Sequence, residues 1–239
     1  MIAIERGQGP LIVSIPHAGT DIPDDIAPDL ISLERARYDA DLYIDKLYAF
    51  AAGMGATIFR TTISRTVIDM NRDPSGASLY PGMATTGLCP LTTFDGEPLW
   101  RDGREPDAAE IARRRDMYFA PYHQGLTAEL ERLRAKHPVV VLYEAHSIRS
   151  HVPMLFDGEL SHFNIGTNSG AACAPELAKA ISAQCGRSQM VDGRFKGGWT
   201  TRYYGEPDQG VHAIQMELAM RTYIDEVPAR SRASRCSAT

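Results

Sequence analysis

Short β-branched apolar runs alternate along the chain with longer stretches whose apolar residues return every three or four positions. Residues 10–15, PLIVSI, read as a buried strand stopped by Pro16, which has no amide proton to extend a ladder. Residues 34–52 read as a helix with Tyr38, Leu42, Leu47, Phe50 and Ala51 on its apolar face, ended by Gly53 and Gly55. ATIFRTTISRTVIDM (56–70) has the composition of one or two strands and runs into the turn residues NRDPSG. Prolines and glycines predict loop from 80 to 105. A long helix follows over 107–136, where Ile111, Tyr118, Tyr122, Leu126, Leu130 and Leu133 repeat and Pro121 predicts a kink. HPVVVLY (137–143) is the plainest buried strand, residues 175–184 form a short helix opened by Pro175, and VHAIQMEL (211–218) is a further strand.

This alternation predicts an α/β fold, a single-domain mixed sheet flanked by helices on both faces. The domain is expected over 1–228, with the polar stretch 229–239 as a disordered tail that has no apolar period. In such folds chemistry gathers beyond the carboxyl ends of the strands.

Composition narrows the partners. The 239 residues carry 25 Lys and Arg against 30 Asp and Glu, a net charge of −5. That balance argues against a nucleic-acid or anionic-membrane binder, which needs a basic face. No run reaches the ~18 apolar residues of a membrane span, and Glu5 and Arg6 precede an apolar run without the cleavage site of a signal peptide. Cys89, Cys173, Cys185 and Cys236 are too scattered for a zinc ribbon or a disulfide framework. The expectation is a cytoplasmic enzyme acting on a small molecule.

Three strands end in chemistry-bearing residues. The first leads into Pro16-His17-Ala18-Gly19, the second into Glu144-Ala145-His146-Ser147, and the third presents Val211, Ala213, Gln215 and Glu217 on one face. A single histidine after a strand is usually a satisfied structural group. Two of them with a carboxylate point to a metal, because a catalytic zinc takes three N/O ligands and keeps a position open. Asp39 and Asp41 are candidates for the third ligand, against a plain reading as a solvated helix face. Around the segment 64–72, Arg65 and Arg72 flank Asp69 and Asn71, a set suited to gripping a carboxylate or, more simply, to an Arg–Asp pair holding a turn. The loop 193–202 places Arg194, Lys196 and Arg202 around Gly197-Gly198, which suits an anion approached closely by backbone. Asn164–Gly170 reads as a structural turn. The chain has no P-loop, no GxGxxG after a strand and no G-x-S-x-G elbow for Ser14 or Ser147, and Cys89 has no neighbouring histidine in sequence.

Taken together, SIPHAGTDIP, DADLYIDKLY, SRTVIDMNRDPSG, TTGLCPLTTFDGEPLW, EAHSIRS, VPMLFDG, NIGTNSGA, GRFKGGWTTRYYG and GVHAIQMELA resemble the N-formylglutamate amidohydrolase family, from about Leu11 to Glu226. The resemblance implies a phosphorylase/hydrolase-like fold related to zinc carboxypeptidases and a zinc-dependent hydrolysis of N-formyl-L-glutamate to formate and L-glutamate. It implies His17 and His146 as ligands of one Zn2+. The position three after His17, a ligand Glu in carboxypeptidases, is Thr20 here, so the carboxylate falls to Asp41, with Asp39 second. Asn71-Arg72 resembles the pair that holds a substrate carboxylate, and Glu217 matches the general base. Glu144 departs from the Asp usual in the family, and Leu42-Tyr43 from a Trp-His pair. On this reading Arg65 or Arg149 supports the oxyanion, and Arg194, Lys196 and Arg202 take the substrate's second carboxylate. Two rivals are a zinc amidohydrolase for another N-acyl acidic amino acid and a non-catalytic binder of such compounds. For Glu217 the plain alternative is an ion pair with Arg221.

Overall fold

The computed structural model describes residues 1–79, 82 and 85–226, so the tail expected over 229–239 lies outside the described residues. A single seven-stranded sheet has the order β1-β3-β2-β4-β7-β5-β6. Its strands are β1 (Ile2–Glu5), β2 (Leu11–Ile15), β3 (Thr57–Thr61), β4 (Val140–Ile148), β5 (Phe163–Gly166), β6 (Gln189–Val191) and β7 (Val211–Ala219). The central ladder β3-β2-β4-β7 is parallel, whereas β1 on β3 and β5 on β7 are antiparallel. The sheet is therefore mixed, as its runs of buried β-branched residues predict.

Alternation along each strand sends apolar side chains to two cores. On one face Ile12, Phe59, Leu142 and Ala213 pack with Tyr122, Leu126 and Leu133 of α5 (Ala120–Arg134). On the other, Val13, Ile15, Ile58, Ile214, Met216 and Leu218 meet Ile44 of α2 (Ile44–Leu47) and Ala51 of α3 (Phe50–Gly53), with Leu177 and Ile181 of α6 (Pro175–Gln184) alongside. Helices cover both faces.

Several elements differ from the sequence expectation. The helix predicted over 34–52 is three one-turn pieces, α1 (Leu33–Ala36), α2 and α3. Between the first two, the amide of Asp41 donates to the carbonyl of His17, and Tyr43 takes a left-handed φ of 59° that no helix continues through. The chain is spent on holding Asp41 rather than on helical hydrogen bonds. In 56–70 only Thr57–Thr61 is strand; beyond it Ser64 bonds Asp21, Val67 turns back on Ser64, and Asp69 donates to Leu88. Asn164–Gly170 is not all turn, since its first residues lie in β5. The loop over 193–202 ends in a helix, α7 (Trp199–Tyr204). The long helix forms as α4 (Ala108–Arg114), a π turn over Arg115–Phe119, then α5. That turn sits just before Pro121, whose missing amide removes the bond to the carbonyl four residues back.

His123 on α5 is buried, its Nδ1 3.0 Å from Tyr204 Oη and its Nε2 2.9 Å from the Met70 carbonyl. Burial pushes its pKa down from 6.5 to about 4. The unfolded chain therefore binds the proton first as pH falls, and stability drops through the window from 6.5 to about 4. In denaturant titrations, the stability advantage of the wild type over His123→Gln should shrink by about 3 kcal/mol across that window. A pH-independent gap would contradict the neutral buried imidazole.

Candidate active site

The polar site lies where the core face of the central strands runs out. Pro16 stops β2 and the chain turns at His17, which is almost completely buried. His146 sits near the end of β4, in register with Glu217 on β7. The backbone clamp from Asp41 to His17 brings in the third element. One side-chain N or O atom from each of His17, Asp41 and His146 falls within 4.8 Å of the others, a set that could hold a metal ion.

Each group is oriented from behind. Asp69 is buried, yet the charges of Arg72, His17 and Arg65 outweigh that burial and hold its pKa well below the usual carboxylate range. As an ionised acceptor it fixes the proton of His17 on Nε2, 2.7 Å from its Oδ1. Its other oxygen takes Arg65 Nη2 at 2.7 Å, and Oδ1 also accepts the Asn71 amide. Burial and the charge of Arg65 push the pKa of His17 down. Its Nδ1, 3.9 Å from Asp41 Oδ2, is left without a hydrogen-bond partner among the described residues, as is Asp41 Oδ1. An unprotonated nitrogen and a carboxylate oxygen, both buried and unpartnered, are the donors a divalent cation needs. The residues fit a metal.

Asp41 Oδ2 accepts from His146 Nδ1 at 3.1 Å and from the Ser147 amide at 3.0 Å. Burial would lower the pKa of His146, but the hydrogen bond to Asp41 and the negative charge of Glu144 outweigh it and hold the group up to about 10. Glu217 Oε2 accepts from Gln215 Nε2 at 3.1 Å. Burial pushes Glu217 up to about 7, with His146 opposing the rise. Arg221, the alternative partner, is engaged with Glu159 and the Leu160 carbonyl instead.

One cleft is lined by His17, Arg65, Asn71, Arg72, His146, Arg194, Gln215 and Glu217, with Phe94, Leu155 and Phe195 as apolar walls. Arg65 stacks on Phe94 and lies 3.5 Å from Asp41. The Arg–Asp pair expected as a structural alternative is thus present as Arg65–Asp69, at the cleft itself. Arg72 is braced by the Thr86 carbonyl and hydroxyl, each at 3.0 Å. Arg149, Lys196 and Arg202 are not among the residues lining the cleft. Arg149 is held by Asp39, Asp95 and Tyr38, Lys196 is exposed, and Arg202 donates to the Gly197 carbonyl. Asp39, the second choice as ligand, spends its Oδ2 on the Phe94 amide.

In the sequence Gly198 points to an anion and Thr201 has no assigned part, but both have structural partners. The Gly198 amide donates to Gln215 Oε1 at 2.7 Å, and a Cβ there would lie 2.2 Å from Asn71 Nδ2. Only glycine lets the loop close on Asn71. The paired glycines were the available signal, read toward a ligand rather than toward a neighbouring side chain.

A mixed α/β sheet that gathers a His–Asp–His cluster and a buried glutamate at the ends of its central strands has the layout of a hydrolase. The chain belongs to the N-formylglutamate amidohydrolase family, whose model matches residues 9–224. It is 46% identical to an N-formylglutamate deformylase of Pseudomonas aeruginosa, over 100% of this chain and 91% of the relative. It is 44% identical to an N-formylglutamate deformylase of Pseudomonas putida, over 95% of this chain and 86% of the relative. In fold it is similar to the crystal structure of an N-formylglutamate amidohydrolase from Ralstonia eutropha, with a TM-score of 0.78 at 24% identity over 98% of this chain and 93% of that one. A gene product of Agrobacterium tumefaciens is similar at a TM-score of 0.68 and 21% identity, over 92% of this chain and 84% of that one.

Metal content separates the two aspartates. Asp41→Asn and His146→Ala should each abolish stoichiometric binding of a divalent cation, read by elemental analysis of the folded protein, while Asp39→Asn keeps it. Full occupancy in His146→Ala would contradict the cluster.

Proposed function

We propose that this chain hydrolyses N-formyl-L-glutamate to formate and L-glutamate, with Zn2+ held by His17, Asp41 and His146. The observation that carries the reading is Glu217, a carboxylate with no cationic hydrogen-bond partner among the described residues, which lines the same cleft as His17 and His146 of the His–Asp–His cluster. The names of the two Pseudomonas relatives, at 44–46% identity, supply the substrate.

A bound zinc would polarise the formyl oxygen and lower the pKa of an attacking water. Glu217 takes a proton from that water as it attacks the formyl carbon. When the carbon–nitrogen bond breaks, the same carboxyl returns the proton to the departing amine, so products leave with Glu217 ionised again. Arg65, fixed by Asp69 and Phe94, puts positive charge beside the developing oxyanion. Arg149 is engaged by Asp39 and Asp95 and does not line the cleft, so in this reading it braces the segment that carries Phe94.

The substrate is a dicarboxylate and needs two cationic anchors. Arg72 with Asn71 suits one carboxylate, since the guanidinium is braced by Thr86 in a fixed plane. Arg194, which lines the same cleft, suits the other, and Lys196 and Arg202, which do not line it, are given no direct part. Residues 1–228 act as one domain in this reading. The three described cysteines, Cys89, Cys173 and Cys185, are free thiols, which supports the cytoplasmic setting. No helix of the described residues is long and apolar enough to cross a membrane.

Formate release from N-formyl-L-glutamate, compared with N-formyl-L-aspartate and N-formimino-L-glutamate, tests the substrate. The zinc-loaded wild type should favour the first. Glu217→Gln is nearly isosteric but cannot accept a proton, so kcat should fall at least ~10²-fold with zinc content and folding intact. Loss of stability with kcat per folded molecule unchanged would make Glu217 a structural residue, and no formate from any of the three would reject the activity.

A further inference from the structure

Glu144 takes part in none of the steps above, although it lies completely buried in β4 one turn of the pleat from His146. A carboxylate so placed is costly unless donors reach both oxygens. Its Oε2 accepts from Thr201 Oγ1 of α7 at 3.1 Å. Its Oε1 has no hydrogen-bond partner among the described residues and lies 3.6 Å from His146 Nε2, just beyond hydrogen-bond length. His146 therefore stands between two carboxylates, Asp41 on Nδ1 and Glu144 on Nε2. His17 is set the same way between Asp41 and Asp69.

The neighbouring amide decides which role remains for Glu144. Asn71 Oδ1 accepts the Thr200 amide at 2.9 Å, so its Nδ2, 3.1 Å from His146 Nε2, is a donor. A histidine that binds a metal through Nδ1 carries its proton on Nε2 and needs an acceptor there. Asn71 offers none in this orientation, and the unpartnered Oε1 of Glu144 does.

We propose that Glu144 is a positioning residue for His146, its Oε1 accepting the Nε2–H of the metal-binding tautomer while Thr201 holds the carboxylate in line. The inference rests on the reading of His146 as a metal ligand. It assigns Glu144 to metal affinity rather than to substrate or proton transfer, and links α7 to the metal site through Thr201 and Glu144.

The test is the zinc dissociation constant of the full chain, read by competition with a chromogenic chelator, with thermal unfolding of each metal-free protein beside it. Glu144→Gln should weaken zinc ~10–100-fold. It should not lower the metal-free Tm, because it removes a buried charge with an unpartnered oxygen. Thr201→Val should weaken zinc in the same direction by less. A lowered metal-free Tm with an unchanged dissociation constant in the folded fraction would make Glu144 merely structural and overturn the proposal. Should Glu144→Gln fail to fold, an unchanged dissociation constant in Thr201→Val overturns it equally. Absence of zinc binding by the wild type would sink the metal reading itself, whereas tight wild-type binding matched by Glu144→Gln sinks only this inference.

Discussion

Asp69 receives His17 Nε2, the Arg65 guanidinium and the Asn71 amide while itself fully buried, and the rest of the site is built around that carboxylate. Removing an ion from water costs several kcal/mol even after relaxation. The cost is offset only because three donors converge and Arg72 adds its charge at 3.7 Å. Two consequences follow from the same contacts. The proton of His17 is fixed on the nitrogen facing Asp69, so the other nitrogen carries a lone pair toward Asp41. Arg65 is pinned between Asp69, Asp41 and Phe94, which sets the wall of the cleft.

The sheet supplies the remaining precision. Parallel register places His146 opposite Glu217 and Glu144 opposite Gln215, so β4 and β7 deliver two pairs of polar groups to one face. Gln215 then joins the Gly198 amide on one side to Glu217 on the other. Tyr223 closes the far end, its hydroxyl reaching both the Leu42 carbonyl and Ser147 Oγ beside Asp41. Residues far apart in sequence are thereby held by backbone and buried side-chain hydrogen bonds, as a site that must fix donors within fractions of an ångström requires.

Much of this was legible in the sequence, and the reasons for the exceptions are physical. The runs at Leu11–Ile15, Val140–Tyr143 and Val211–Leu218 are strands because they are buried on both faces, and the two faces of β7 separate as its alternation predicts. His17 and His146 stood out because strand ends in such a sheet face one cleft, whereas Asp41 was one of two carboxylates on the expected helix and was preferred through the family resemblance. The break in the helix over 34–52 was hidden, since its cause is a hydrogen bond from Asp41 to a carbonyl 24 positions earlier. The same holds for Asp69, whose partner His17 is 52 residues away. Its signal was a lone carboxylate inside the apolar run VIDM, legible as half of an Arg–Asp pair but not as a buried hub for His17. β1, with the alternating IAIE pattern, carried a readable period that a stretch so short at the start of the chain did not make prominent. Among the arginines, sequence shows charge but not which charges are already spent. Arg149 and Arg202 look equal to Arg65 and Arg72 until their partners are known.

The central claim is that Asp69 presets His17 as a neutral ligand with a bare Nδ1. Nitrogen-15 chemical shifts of the His17 ring in the metal-free protein at neutral pH test it directly. The account requires a protonated Nε2 and an unprotonated Nδ1, followed by a shift of Nδ1 alone toward the metal-bound range when zinc is added. A proton on Nδ1, in either the opposite tautomer or an imidazolium, would contradict it.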